Sequence, residues 1–274
     1  MIGTFEALRK NAKAELIARR PAVYWWYRKL RRGWAEQEMS LLPAFCLPGT
    51  AAIDVGANHG LFTHYLTGLC QHVHAFEASP RMAALLRRGY VRRGNVTVHE
   101  VALSNTQGTA TLQVPTFVGF SGYATLERAD LTNKLDVDCA LEQVHVVTRR
   151  LDDFALRNVS FLKVDVEGHE QEVLEGAVET LRREPVVVLA ELEERHRHNA
   201  VEDVSALLMG LGYQGFFLRG RALIGLHQFD SARDQDARDP HGPAYVRNFV
   251  FAAPSRVTDL KNRLARQGYT LDLS

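Results

Sequence analysis

Short apolar runs bounded by glycine, proline or an acid alternate along the middle of the chain with segments whose apolar positions recur every three or four residues. The runs AAIDV and HVHAFE predict two strands with a helix between them, and SPRMAALLRRGYVRRG predicts a helix capped by Ser79 with Pro80 at its first position. NVTVHEVALSN predicts a third strand, and TATLQV after Gly108 and QVHVVTRRLDDF carry further strand patterns. FLKVDV predicts a central strand, followed by one helix opening at Gly168 with apolar Val173, Leu174, Ala177, Val178 and Leu181. PVVVLAELE is the near-continuous apolar run of a strand covered on both faces. A helix over Val204, Leu207, Leu208 and Leu211 follows, then paired antiparallel strands in YQGFFLRGRALIGL with a turn near Gly220. The strand VRNFVFAA and a short outer helix, DLKNRLARQGY, complete the chain. This alternation predicts an α/β fold, one sheet with helices on both faces.

Two stretches stand outside the alternation. Residues 1–48 hold no strand pattern and predict a helical N-terminal extension in two segments broken at Pro21, with Tyr24, Trp25, Trp26, Tyr27 and Trp34 set among Arg28, Lys29, Arg31 and Arg32. Such a segment suits a cap over the sheet or a homodimer interface, because Trp and Tyr present large apolar faces with polar tips. Residues 49–274 form the main domain, and within it 115–141 is long for a loop and is a candidate substrate loop or lid.

Composition narrows the classes. The 274 residues are 46% hydrophobic and 24% charged, as expected of a globular protein, and 33 Lys and Arg against 32 Asp and Glu leave no global field to draw in nucleic acid. Cys46, Cys70 and Cys139 are widely spaced, without a CxxC pair, which points to a reducing, cytoplasmic setting. The sequence has neither a signal-like apolar core nor a run of about 18 apolar residues, so no membrane span is expected.

The chemistry concentrates at 51–80. The strand ending in Asp54 runs into Gly56 and Gly60, whose freedom lets the backbone turn sharply beside a ligand, and Glu77 ends the next strand about 20 residues on, where an acid accepts both hydroxyls of a ribose. DVGANHG lacks the middle glycine that admits a pyrophosphate, so a nucleoside without phosphates, such as S-adenosylmethionine, fits better. An ordinary strand-to-helix turn would account for the glycines alone.

DVGANHGLFT at 54–63, FEASP at 76–80, ALSN at 102–105 with Gly108, LDDF at 151–154 and FLKVDVEGHEQEVLEGA at 161–177 together resemble the FkbM-type methyltransferases. The resemblance covers roughly 50–185 and implies a Rossmann-like seven-stranded mixed sheet, its last strand antiparallel. It implies S-adenosylmethionine as cofactor, with Asp54, Gly56, Ala57, Asn58 and Gly60 around the methionine part, Glu77 on the ribose, and Ala102, Leu103 and Ser104 beside the adenine. FEASP stands where the family has F-E-P-x-P, a change that spares the acid.

The acceptor implied is a hydroxyl of a sugar, polysaccharide or natural-product intermediate. A hydroxyl must lose its proton during attack, which calls for a general base, a metal, or both. Asp165, His169, Glu191 and Lys163 are the catalytic candidates, and Asp165 and Glu191, ending adjacent strands, are candidate ligands for magnesium. The plainer readings are that Asp165 bonds the cofactor or caps the next helix, Lys163 pairs with an acid, His169 is structural, and His196 and His198 are solvated surface. A carboxyl or nitrogen methyltransferase, or a non-catalytic nucleoside-binding module, is the alternative function.

Overall fold

The structure is a computed structural model that describes residues 36–115, 125–126, 141–240 and 242–273, together with residues 16, 19, 20 and 23. The predicted cap over most of 1–35, with its aromatic and basic cluster, lies outside the described residues, as does most of the predicted loop at 115–141.

Twelve strands are described: β1 (Ala51–Val55), β2 (His72–Glu77), β3 (Val96–Glu100), β4 (Ala102–Leu103), β5 (Gly108–Pro115), β6 (Leu141–Arg149), β7 (Val159–Val164), β8 (Val187–Glu191), β9 (Gln214–Arg219), β10 (Ala222–Gly225), β11 (Asn248–Ala252) and β12 (Thr270–Leu271). The helices that matter below are α1 (Leu42–Phe45), α2 (Leu61–Leu66), α3 (Pro80–Tyr90), α4 (Glu170–Glu175), α5 (Val178–Arg183), α6 (Ala200–Gly210) and α7 (Val257–Arg266).

Nine strands make one sheet in the order β12-β10-β9-β11-β8-β7-β1-β2-β3. The five from β8 to β3 are parallel, and β11 runs antiparallel between β8 and β9. The expected seven strands are therefore all present, with the antiparallel one inside the sheet, and two more extend its edge. β10 is the return arm of the hairpin turning at Gly220, and it leaves an open edge onto which the two residues of β12 pair.

Alternation along the strands builds a core on each face. In β1, Ile53 and Val55 join the cluster that holds Val173, Leu174 and Leu208 from α4 and α6, while Ala52 joins that of Phe62, Leu66, Leu260 and Leu264 from α2 and α7. The end of the predicted extension packs on the second face, where Met39, Leu41, Leu42, Ala44 and Phe45 are buried. Arg256 and Arg263 donate to the carbonyls of Phe45 (2.9 Å) and Cys46 (2.6 Å), pairing two cations with the end of α1.

Two predicted elements are broken. NVTVHEVALSN divides at Val101 into β3 on the main sheet and β4 in a separate three-stranded sheet of order β4-β6-β5. The helix predicted from Gly168 divides into α4 and α5, because Gly176 lies against the chain at Ser104, where an added Cβ would sit 2.1 Å from the carbonyl oxygen. Asp152 restarts the helix by accepting from the backbone N–H groups of Thr180 (2.8 Å) and Glu179 (3.0 Å). Among the described residues no helix is long and apolar enough to cross a membrane.

Candidate functional site

The site forms at the carboxyl ends of β1, β2 and β7, where buried strands release their chains into loops. At Gly56 (φ +74°) a Cβ would lie 1.7 Å from the Asp165 carbonyl oxygen, so the loops after β1 and β7 approach closely only because this residue is glycine. The N–H groups of Gly56 and Ala57 both donate to the Phe76 carbonyl, at 3.0 and 3.1 Å, which ties this turn to β2. Gly60 (φ +80°) opens α2 and accepts from the Tyr90 hydroxyl at 3.0 Å.

Glu77 is 7% exposed. Its carboxylate accepts from the backbone N–H of Asn58 at 2.7 Å and of Ser79 at 2.8 Å. Burial pushes its pKa up to about 7 against the pull of those two donors. Each oxygen keeps a further lone pair, the acceptor pattern a ribose diol requires.

Asp54 is 1% exposed and accepts from the Thr63 hydroxyl at 2.6 Å through one oxygen. Its other oxygen is buried without a hydrogen-bond partner, as is the side-chain oxygen of Asn58. Burial raises the Asp54 pKa, opposed by the Lys163 ammonium. Of these two acceptors Asn58 lines the cleft, where its oxygen fits a ligand ammonium such as that of a methionine moiety.

An open cleft brings Gly56, Asn58 and Glu77 together. Of the residues singled out in the sequence, Gly56, Asn58, Glu77, Ala102, Leu103, Asp165 and His169 line it. Asp54, Ala57, Gly60, Ser104, Lys163 and Glu191 do not form its wall. The pattern missed Leu112 and Leu126, which add apolar wall from the small sheet and the segment beside it. Thr125 holds that segment by donating to the Glu167 carbonyl at 2.9 Å and pairing with Gln113. Leu126 lies within 115–141, the segment expected as a substrate loop, although no spacing rule singles out that residue.

Lys163 is 3% exposed and donates to Asp165 at 2.8 Å, with its ammonium 4.7 Å from the centre of the Phe62 ring. Burial works against its charge, yet Asp165, Asp54 and Glu36 together hold its pKa above the ordinary lysine range. The paired reading of Lys163 therefore applies: it stands behind the wall and fixes the Asp165 carboxylate that faces the cleft. His169 Nε2 lies 3.0 Å from the Ser104 hydroxyl and Nδ1 lies 3.5 Å from Glu172, so both ring nitrogens have partners. His196 Nδ1 lies 3.3 Å from Glu167, an ion-pairing position and not the solvated surface expected for it.

Glu191 sits among acids. Burial and the charges of Asp165, Glu36, Glu167 and Glu193 push its pKa well up. No pattern pointed to Glu36, which reaches this region from before α1 and accepts from Asn248 at 3.2 Å. Among the described residues no three His, Cys, Asp or Glu side chains group in a way that could hold a metal, and one Asp165 oxygen is taken by Lys163. Asp165 and Glu191 thus do not fit the expected magnesium site.

Residues 54–217 match the family model described as the methyltransferase FkbM domain, well over half of the chain. The chain belongs to the FkbM methyltransferase family. It is similar to "31-O-demethyl-FK506 methyltransferase FkbM" of Streptomyces tacrolimicus, 31% identical over 194 residues, which cover 61% of this chain and 73% of that protein. It is also similar to "Methyltransferase 1" of Beauveria bassiana, 29% identical over 143 residues, 45% of this chain. That match spans 57% of the Beauveria protein, little more than half its length. Among solved structures, the methyltransferase FkbM from Methylobacillus flagellatus KT aligns at TM-score 0.49 and 13% identity, covering 90% of this chain and 60% of that one. An O-methyltransferase from Bacillus cereus in complex with SAH aligns at TM-score 0.42 and 13% identity, covering 88% and 90%. The FkbM assignment rests on the sequence match, whose span contains β1, β2, β7 and the cleft they form.

Proposed function

We propose that this protein is an S-adenosylmethionine-dependent O-methyltransferase whose acceptor is a hydroxyl of a sugar or natural-product intermediate. The observation that carries the reading is the convergence of Glu77, Asn58 and Asp165 on one cleft, a buried ribose acceptor beside a carboxylate facing open space. The name of the Streptomyces relative, an O-methylating enzyme, supports the oxygen acceptor.

The cofactor, when bound, supplies a methyl group on a sulfonium, an excellent leaving group. The chain's own work is then to align the acceptor and take its proton. Glu77 anchors the ribose, and the orphaned side-chain oxygen of Asn58, which lines the cleft, receives the amino group. Leu103, Leu112 and Leu126 exclude water around the base. Asp165, oriented by Lys163, accepts the proton of the acceptor hydroxyl, while His169 positions the wall through Ser104 and Glu172.

The test is transfer of labelled methyl from S-adenosylmethionine to candidate glycans and polyols by the wild-type protein and by Asp165→Asn. The reading expects turnover in the first and a loss of at least about a hundredfold in the second, the scale of general-base catalysis. Equal turnover would remove Asp165 from the mechanism. Transfer only to amines or carboxylates would replace the acceptor class.

A further inference from the structure

The segment 78–99 contains five arginines, at 81, 87, 88, 92 and 93, and no Asp or Glu, in a chain whose formal net charge is only +1. Four of them surround the last turn of α3 and the turn that follows. The inner face of α3 buries Met82, Leu85, Leu86 and Tyr90, so this basic face is turned outward. Arg87 pairs with Glu100. Arg93 donates to the Thr67 hydroxyl at 2.9 Å while Asn95 donates to the Thr67 carbonyl at 3.0 Å, and these two bonds pin the turn to the end of α2. Arg88 and Arg92 are exposed and have no acidic partner among the described residues.

A helix end attracts cations, which accounts for Arg87 and Arg88 in the last turn of α3. It does not account for Arg92 and Arg93 beyond that turn. Arg88 in the last turn of α3 and Arg92 in the turn that follows are two exposed like charges close together in the chain, and an anion docked there relieves their repulsion. Between them stands Val91, 78% exposed, the most exposed large apolar side chain among the described residues. An apolar tip inside a ring of guanidinium groups matches the boundary between lipid headgroups and acyl chains. Tyr90, the one aromatic in the segment that could stack on a base, is buried, which argues against single-stranded nucleic acid as the occupant.

Position gives the patch a purpose. α3 begins beside the cleft and runs away from it for eleven residues, about 16 Å at the helical rise. A flat anion docked at its far end leaves the cleft open.

We propose that the surface formed by Arg87, Arg88, Val91, Arg92 and Arg93 docks this protein on an anionic lipid bilayer, with the cleft held clear of the membrane. Binding is reversible and salt-sensitive, because a few exposed arginines and one valine are weaker than a lipid anchor.

The test is co-sedimentation of the full chain with vesicles of phosphatidylcholine alone and of equimolar phosphatidylcholine and phosphatidylglycerol, at low and high salt. The wild-type protein is expected in the pellet only with phosphatidylglycerol and only at low salt. Arg88→Glu/Arg92→Glu should lose more than about twentyfold in partitioning, each arginine near an anionic surface being worth about fivefold. Arg88→Gln/Arg92→Gln, a milder pair, should lose part of that, and both variants should keep the wild-type melting temperature and affinity for S-adenosylhomocysteine. Wild-type protein that stays in solution with anionic vesicles overturns the proposal. So does equal pelleting of the folded variants, or tighter binding to an oligonucleotide that the charge reversals abolish.

Discussion

Glu77 holds the backbone N–H of Asn58 at 2.7 Å, so the acid that ends β2 and the loop that leaves β1 fix each other before any ligand arrives. The bond spans 19 residues and makes Glu77 and the glycine turn a single unit. Its energetic basis is the burial of a carboxylate that needs donors, met here by the Asn58 and Ser79 amides.

Glu77 sets a pH dependence. Its pKa in the fold is about 7, above its ordinary 4.5, so the stability this group contributes is complete below about 4.5 and is lost as pH rises through about 7. Ligand binding runs the other way, since the ionised carboxylate is the better acceptor for hydroxyls. Affinity for S-adenosylhomocysteine should therefore rise about tenfold between pH 6 and pH 8, the worth of one charge-assisted hydrogen bond. Titration calorimetry at both pH values checks this, and Glu77→Gln should flatten the dependence.

Gly56→Ala should disable the site from its backbone. The added methyl would meet the Asp165 carbonyl oxygen at 1.7 Å, and the positive φ adds strain, so the loops after β1 and β7 must part. A loss of roughly 2–4 kcal/mol is expected, read as a lower denaturation midpoint, together with loss of S-adenosylhomocysteine binding. Unchanged stability would mean that the two loops move apart freely.

Lys163→Met removes the cation that faces Asp165 and Asp54 while keeping an apolar stem of similar length. An uncompensated buried charge costs on the order of 3–5 kcal/mol, and because Asp165 is partly open to solvent the lower end is expected. Lys163→Arg should retain more stability than Lys163→Met, which separates charge from packing. Thermal melts of the two variants decide it.

The histidines of β2 and β3 predict acid sensitivity. His74 and His99 are within 3.2 Å of one another, and burial first, then neighbouring cationic side chains, lowers both pKa values to about 4. Below the ordinary value of 6.5 the unfolded chain takes up protons that the fold refuses, so stability falls as pH drops from about 6.5 toward about 4. His99 already stacks on Phe76 at 4.3 Å, so His99→Phe should keep the contact and melt at a higher temperature than the wild type at pH 5, with a smaller gap at pH 8. An equal gap at both pH values would assign the effect to packing.

The strands and the glycine turn were legible because they depend on local pattern. VVVLA is apolar throughout and AAIDV is apolar but for Asp54 since helices cover both faces of the sheet, and Ser79-Pro80 marks a helix start by its own chemistry. What the pattern could not carry were contacts across the fold. The helix broke at Gly176 because the chain at Ser104 passes beside it, and the sheet grew to nine strands because an exposed hairpin edge took up two residues from the chain's end. Glu36 came near Lys163 by the same kind of long-range packing, whereas Leu126 lies in the segment 115–141 already expected to border the substrate. For Lys163 and His169 the sequence carried both a catalytic and a plainer reading, and the fold gives Lys163 an ion pair with Asp165 and the His169 ring two contacts.

Calorimetric titration of the wild-type protein and Glu77→Ala with S-adenosylhomocysteine decides whether the cleft between Glu77 and Asp165 takes a nucleoside. The wild type is expected to bind and, in a variant that still melts cooperatively, affinity should fall at least about tenfold, since two hydroxyls lose their acceptor. Equal affinity in the two proteins would contradict it.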